Sequence, residues 1–387
     1  MSGPFISIVI PTRNRADYVG HALQSALEQS FDDFEVVVSN NDSSDRTAEV
    51  VAEHSDPRVR YVETSKTLAM PDSWEFAVSH ARGEFVTVLC DDDALAPRCC
   101  ERGAKHLRES GVELLYWRRY HYTMSDWLEP ERRNSVRLRK TSGQAVLEPT
   151  KPLLESWYGE PRYILHAPML FNGFFRRSKL EAIRASAGRF FISPAPDVGA
   201  SVMMLAHTDE MLRLDEVMGI VGSGRQSIGA SQRHGADTGV AEAFEAEFEG
   251  DIFTRVPFRM NMITTTITDT LLAAKELLPG PLAPYEVNWI SFWLRCHREL
   301  IGRRDRGLDV SGPLAELEGL MEEHEPGLLA RALSEDRSRR RRILRRRFIP
   351  RISLRRRQRR NVRGADAGFS NILECARELD RLVEELG

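Results

Sequence analysis

No run of about 18 uncharged apolar residues occurs in this chain, so no membrane-spanning helix is expected. Cysteine is scarce. The five present are an odd number and show none of the paired spacings that hold zinc. That excludes a disulfide scaffold and points to free thiols in a reducing cytoplasm. The adjacent Cys99 and Cys100 read as buried positions on a helix. No internal repeat is visible, which argues against a solenoid or propeller. The chain enters an apolar strand within its first few residues, so no secretory leader is expected.

What is present is an alternation of strands and helices. Phe5–Ile10 is an apolar run that ends in a Pro-Thr turn. An amphipathic helix follows, with Val19, Ala22, Leu23, Ala26 and Leu27 on one stripe. Phe34–Ser39 reads as a second strand, followed by the turn 40–47 (NNDSSDRT) and a helix through Ala48, Val51 and Ala52. Arg58–Glu63 reads as a third strand, Trp74–Ala81 as a helix and Phe85–Leu89 as a fourth strand. This regular alternation predicts a parallel, right-handed α/β sheet. Ligands of such sheets lie beyond the carboxyl ends of the strands. Thr12, Asn40 and Asp91 each follow a strand end and so converge on one edge.

Asp91, Asp92 and Asp93 are the most informative residues. Three carboxylates where a strand leaves a sheet repel one another. A hard divalent cation removes that cost, because oxygen ligands suit Mg²⁺ and Mn²⁺. The competing reading is a solvated acidic turn that caps the following helix.

The segments IVIPTRNR, VVVSNNDSSDRT, ARGEFVTVLCDDDALAP and NGFFRRSKLEAI, in this order and spacing, resemble family 2 glycosyltransferases. The likeness is clear over residues 5–115 and weaker to about 230. It implies a GT-A fold: a Rossmann-like, nucleotide-diphospho-sugar transferase α/β architecture with a mixed sheet flanked by helices. It also implies a nucleotide-diphosphate sugar as donor and Mg²⁺ or Mn²⁺ as cofactor. The implied reaction is metal-dependent, inverting transfer to an acceptor hydroxyl, in cell-surface glycan, lipid-linked or secondary-metabolite glycosylation.

The resemblance also suggests roles. The family's acidic motif commonly reads Asp-Ala-Asp-Asp with Pro four residues later. Pro97 sets that register, so Cys90 stands at the first acid and Asp92 becomes the first choice for the metal ligand. Asp93 is a second ligand or a structural cap, and Asp91 a contact to ribose or to a metal-bound water. Pro11, Thr12 and Arg13 would meet base and diphosphate. Asn40 stands where the family reads the nucleobase with an aspartate, and an amide can also donate and accept. Asp42 would join the nucleotide site, with a helix cap as its alternative. Asp197, on a proline-rich turn before an apolar helix, is the implied general base, with His166 and His207 behind it. Residues 222–231 (GSGRQSIGAS) resemble the family's loop after the last strand. Arg225 there, where many members carry His, could bind diphosphate.

From the sequence, residues 1–235 form the transferase domain, with a nucleotide half (1–115) and an acceptor half (116–235). Within the latter, 117–159 reads as an irregular insertion, Ile164–Arg176 as a strand pair, Lys179–Ala187 as a helix and Glu216–Val221 as a strand. Residues 236–335 read as a helical region whose Met260, Met262, Trp289 and Trp293 belong to its core. An Arg-rich segment (336–365) and an amphipathic C-terminal helix (366–387) follow. From Arg337 onward there are 17 Lys/Arg against 6 Asp/Glu, a net +11, while the rest of the chain carries −14.

Arg337–Arg360 interleaves arginine with Ile343, Leu344, Phe348, Ile349, Ile352 and Leu354. The pattern suits an anionic membrane surface, with a solvated run and nucleic acid as rivals; nucleic acid is the least favoured. The region from Arg337 to the end is therefore expected to be separable from the body. Phe369, Ile372, Ala376, Leu379, Val383 and Leu386 form an a/d seam that either packs on the body or pairs a homodimer. The expected location is the cytoplasm, peripheral to the inner face of the cell membrane. Two other readings stay open. A sugar nucleotidyltransferase would carry a Gly-rich loop where PTRNR stands. A non-catalytic scaffold would explain Cys90, Asn40 and Arg225.

Overall fold

The computed structural model describes residues 3–127, 129–162, 167–225, 227, 239–248, 252–348 and 359–386. Its centre is an eight-stranded mixed sheet. The strands are β1 (Ile6–Thr12), β2 (Phe34–Asn40), β3 (Val59–Glu63), β4 (Phe85–Val88), β6 (Leu114–Trp117), β9 (Ala145–Pro149), β10 (Gly173–Arg176) and β11 (Glu210–Leu214). They lie in the order β3-β2-β1-β4-β10-β6-β11-β9. The helices are α1 (Ala16–Leu27), α2 (Thr47–Ala52), α3 (Met70–Ser79), α4 (Cys99–Ser110), α5 (Lys151–Gly159), α6 (Arg177–Ala187) and α7 (Pro196–Leu205).

Strands β1 to β4 are parallel, as expected. The sheet as a whole is not, because β10 runs antiparallel to both β4 and β6, and β9 antiparallel to β11. β1 is buried on both faces, which is why it reads as a nearly unbroken apolar run. Its alternate residues separate the two cores. Ile6, Ile8 and Ile10 pack with Val19, Ala22, Leu23 and Ala26 of α1. Val9 packs on the other side with Trp74 and Ala77 of α3.

The order 3-2-1-4 puts a topological switch between β1 and β4. The chain winds outward from β1 through β2 to β3, then crosses back. Loops leaving β1 and β4 diverge there, and the crevice at their carboxyl ends is where such sheets take ligands.

The stretch 117–159 is more regular than its sequence suggests. It supplies β7 (Tyr120–Thr123), β8 (Ser135–Arg139), β9 and α5. Strands β7 and β8 belong to a second sheet, ordered β13-β8-β7-β12-β5, with β5 (Ala94–Leu95), β12 (Gly219–Ser223) and β13 (Arg359–Arg363). Of the expected strand pair at 164–176, residues 163–166 lie outside the described residues and only β10 is a strand. The last strand begins at Gly219, later than Glu216, and is preceded by β11.

Beyond the sheets, helices Ile263–Leu277, Trp289–Arg304 and Ser311–His324 build the expected helical region. Met262 and Trp293 lie in its core, with Met260 and Trp289 packed on it. Residues 314–333 span two helices. The second, Leu328–Phe348, continues into the arginine run.

The C-terminal segment corrects an expectation. β13 pairs antiparallel with β8 over five residues. Helix Ile372–Glu384 then buries Ile372, Ala376, Leu379 and Val383, with Phe369 ahead of it, against Tyr122, Val136, Leu138 and Ile220. The a/d seam is therefore filled by the chain's own sheet and is not presented to a second copy. Residues 359–386 are part of the body, not a separable tail.

Candidate active site

The acidic triplet lies at the switch point. Leu89 N donates to Val9 O at 2.8 Å, which holds the end of β4 beside β1. The chain then turns, with Asp93 N donating to Cys90 O. The three carboxylates leave this turn in different directions. Asp91 faces Arg15 at the head of α1, Oδ1 to Nε 3.8 Å. Asp92 Oδ2 accepts a hydrogen bond from Ser227 Oγ at 2.9 Å. Asp93 is almost fully buried, and its Oδ1 accepts from Gly222 N at 2.9 Å. β12 passes so close that a Cβ on Gly222 would stand 1.9 Å from Asp92 O, so only glycine fits there.

Burial raises all three carboxyl pKa values. Asp91 is pushed up to about 6 by burial and by Asp92, against the pull of Arg15. Asp92 is raised by burial and by Asp126, opposed by Arg15 and by the Ser227 hydroxyl. Asp93 is raised well above its ordinary value by burial and then by Asp92. Such a cluster holds more negative charge than Arg15 alone offsets.

The triplet tests the fit of a cation. Asp91 and Asp92 offer hard oxygen donors. Cys90 does not compete, because burial and the surrounding carboxylates push its thiol well above its ordinary pKa and keep it neutral. Among the described residues no group of three or more His, Cys, Asp or Glu is placed to hold a metal ion. A Mg²⁺ site needs only one or two carboxylates, with ligand phosphates and water completing the shell. The residues fit such an ion. Asp93 is turned onto β12, which matches the structural one of its two expected roles.

The nucleotide-side residues are more occupied than expected. Asn40 Nδ2 donates to Tyr61 Oη at 2.8 Å and to Glu63 Oε1 at 3.0 Å, while its Oδ1 accepts from Ser43 N at 3.2 Å. This amide ties the ends of β2 and β3 to the following turn, with one acceptor position left. Asp42 is exposed, adopts φ 53° and accepts from Thr67 Oγ1 at 2.9 Å. Pro11 and Thr12 end β1, and Thr12 O accepts from Asn41 N. Arg13 pairs with Glu247 at 2.5 Å, so the segment after helix Val240–Glu245 meets the β1 turn.

Asp197 sits in the first turn of α7, after Pro196. It is the smallest of the charges that raise the Cys90 thiol, which puts it on the same side of the molecule as the triplet. His207 lies ten residues further on, about 15 Å along a helix. Its Nδ1 contacts Met203 O at 2.9 Å, away from the triplet. His166 lies outside the described residues, as does part of the 222–231 loop. Arg225 is exposed, and its backbone N donates to Asp126 Oδ2.

Sequence reasoning missed Arg15, Tyr18, Asp126 and Ser227. Arg15 is the last residue of the recognised IVIPTRNR segment and Tyr18 lies three residues beyond it, so proximity could have flagged them. Asp126 sits in the stretch read as irregular, and nothing in its local pattern marks it.

Residues 7–181 match the model of glycosyl transferase family 2. The chain is 28% identical over 172 residues to the uncharacterized protein MT1568 of Mycobacterium tuberculosis, over 42% of this chain and 53% of that protein. It is 37% identical over 95 residues to the GalNAc(5)-diNAcBac-PP-undecaprenol beta-1,3-glucosyltransferase of Campylobacter jejuni, over 24% of this chain and 31% of that one. The chain thus spans about half the length, or less, of these curated relatives. Among solved structures, S. aureus TarS 1–349 in complex with UDP-GlcNAc aligns with a TM-score of 0.46 at 14% identity, over 86% of this chain and 88% of that one. Residues 7–181, which run from β1 through the acidic triplet to β10 and into α6, are a glycosyl transferase family 2 domain.

Proposed function

We propose that this chain transfers a sugar from a nucleoside-diphosphate sugar to an acceptor hydroxyl, with inversion at the anomeric carbon. The observation that carries the reading is the buried acidic triplet at the β1/β4 switch point, whose charge Arg15 alone does not offset. In this reading Asp92, helped by Asp91, holds Mg²⁺ or Mn²⁺, and Asp93 braces β12. The cation supplies charge stabilisation for the diphosphate. Pro11, Thr12 and Arg13 line the diphosphate side, and Asn40 and Asp42 shape the wall where the base lies. Arg225 reaches the phosphates from the rim.

Asp197 takes the proton of the acceptor hydroxyl. That oxygen attacks the anomeric carbon as the bond to the diphosphate oxygen breaks on the opposite side. The nucleoside diphosphate leaves with the bonding pair, and the proton remains on Asp197.

This reading expects UDP or GDP to raise the melting temperature in Mn²⁺ and not in EDTA. A hundredfold excess over the dissociation constant should add about 2.7 kcal/mol. Equal shifts in both buffers would remove the metal from the site.

The acceptor side is proposed to be an anionic membrane surface. The Campylobacter relative is named for a polyprenyl-linked substrate, and Arg337–Arg360 holds 14 arginines and no acid. Among the described residues no helix is long and apolar enough to cross a membrane, so contact would be peripheral. Each arginine near such a surface adds about 1 kcal/mol. Because 359–386 belong to the body, the test is charge removal and not deletion. Wild type should float with phosphatidylserine vesicles at low salt and sink at high salt. A variant with Gln at Arg339–Arg342 and Arg345–Arg347 should not float. Wild type that ignores the vesicles at low salt would refute the docking.

A further inference from the structure

β7 and β12 run parallel and leave the second sheet together, Ser223 paired with Thr123. Met124 N donates to Ser223 O at 3.0 Å, so the two exits, 124–127 and 224–227, start side by side. The Asp126 carboxylate stands between them. Its Oδ2 accepts from Tyr18 Oη at 2.8 Å and from Arg225 N at 3.1 Å. The first bond comes from α1 and the second from the exit of β12, so one carboxylate ties three parts of the chain.

The turn it holds is tied to the triplet as well. Gly224 N donates to Ser227 Oγ at 3.0 Å, and the same hydroxyl donates to Asp92 Oδ2. Gly222 N donates to Asp93. The approach is tight: a Cβ on Gly224 would stand 3.0 Å and 3.3 Å from the two Asp126 oxygens. Charge agrees with geometry. Burial, with the hydrogen bond to Asp126 and its charge, holds the Tyr18 hydroxyl protonated and so a donor to that carboxylate.

We propose that Asp126 is a positioning residue for the donor diphosphate: it fixes Gly224, Arg225 and Ser227 beside Asp92, so that Arg225 and Ser227 present their polar groups to the phosphates. The inference rests on the transfer reading above. Asp126 itself touches neither sugar nor phosphate. It acts through the backbone of Arg225, and Tyr18 anchors it from the opposite wall.

The test compares Asp126→Ala with Asp126→Asn in the full chain. Asn keeps a carbonyl that can accept from both donors, and Ala keeps none. Asp126→Ala should raise the KM for the donor and the dissociation constant for UDP or GDP by about 10- to 100-fold, the size of one charge-assisted hydrogen bond. It should leave kcat within about threefold, the pattern of lost donor binding without lost chemistry. Asp126→Asn should restore most of that loss.

Hydrogen exchange at the Arg225 amide, measured on ligand-free protein, should speed up in Asp126→Ala. That arm needs no turnover, so it reports on the turn even if the transfer reading itself fails. Should Asp126→Ala not fold, Gly224→Ala displaces the same turn and is read the same way. A lowered melting temperature with unchanged exchange and unchanged nucleotide affinity would overturn the proposal and leave Asp126 a purely structural contact.

Discussion

Asp197→Asn is expected to lower kcat by about 10²- to 10⁴-fold, the usual contribution of a general base. Donor affinity should stay within about twofold, because the proposed reading gives the donor to Asp91, Asp92 and the β1 turn, not to Asp197. The reasoning is geometric. Asp197 occupies the first turn of α7, and α7 is anchored by Val198, Val202 and Met204 in the core it shares with α3 and helix Ile263–Leu277. A side chain on so firmly packed a helix keeps its place when its charge is removed.

Its approach is also braced. Ser193 Oγ accepts from Thr270 Oγ1 at 2.8 Å, which links the turn before α7 to the helical region. Asp92→Asn makes the contrast: it should abolish the Mn²⁺-dependent part of UDP or GDP binding. Steady-state kinetics beside calorimetric titration separate the two. An Asp197→Asn enzyme within a few-fold of wild type would move the base elsewhere, and His166 would then be the residue to replace.

The N-terminal half was readable because its signals are local. β1, β2 and β4 are buried on both faces and appear as apolar runs, and α1 shows its stripe. The acidic triplet was conspicuous because three carboxylates at a strand end have few structural uses. The direction of β10 was hidden, since GFFR reads the same parallel or antiparallel. β13 was hidden more deeply. Its sequence, RRNVR, has one apolar residue, and its partner β8 lies more than 200 residues away. The arginine run reads as polar and structureless, yet Arg is a good helix former and no glycine or proline interrupts Leu328–Phe348.

The site was legible in part for the same reason. Asp91 and Asp92 follow a strand whose pattern could be read, and Asp197 opens a helix that its proline-rich turn announces. Asn40 shows the limit. Its residue type suits base recognition, but whether an amide is open to a ligand depends on its neighbours. Tyr61 and Glu63 reach it from β3, and no local pattern announces that. Asp126 lies in a stretch where aromatic, basic and proline residues mix without a period, so its meeting with Arg225, 99 residues later, was invisible.

Removing residues 359–387 is expected to prevent cooperative folding. The segment supplies β13 and helix Ile372–Glu384, and with them Phe369, Ile372, Leu379, Leu382 and Val383 of one core. Burying each such side chain contributes about 1.5–3 kcal/mol. Together they match a typical domain's whole stability of about 5–15 kcal/mol. Deletion would also expose Tyr122, Val136, Leu138 and Ile220, and leave β8 an open edge.

The helix braces the site from behind. Arg102 of α4 donates to both carboxylate oxygens of Asp380, at 3.0 Å each, and to Val217 O at 2.5 Å, just ahead of β12. Arg377 pairs with Glu28 at the end of α1. Helix α4 follows the acidic triplet and α1 carries Arg15 and Tyr18 at its head, so loosening the C-terminal helix loosens both walls. A milder variant reads the same contact without losing the fold. Leu379→Ala, at a fully buried position, should cost about 2–5 kcal/mol and lower the urea midpoint at unchanged slope. Arg381→Ala, on the exposed side of the same helix, should stay within about 0.5 kcal/mol of wild type. A truncated chain that unfolds at the wild-type midpoint and still binds UDP or GDP in Mn²⁺ would show that the transferase domain is complete without its C-terminal strand and helix.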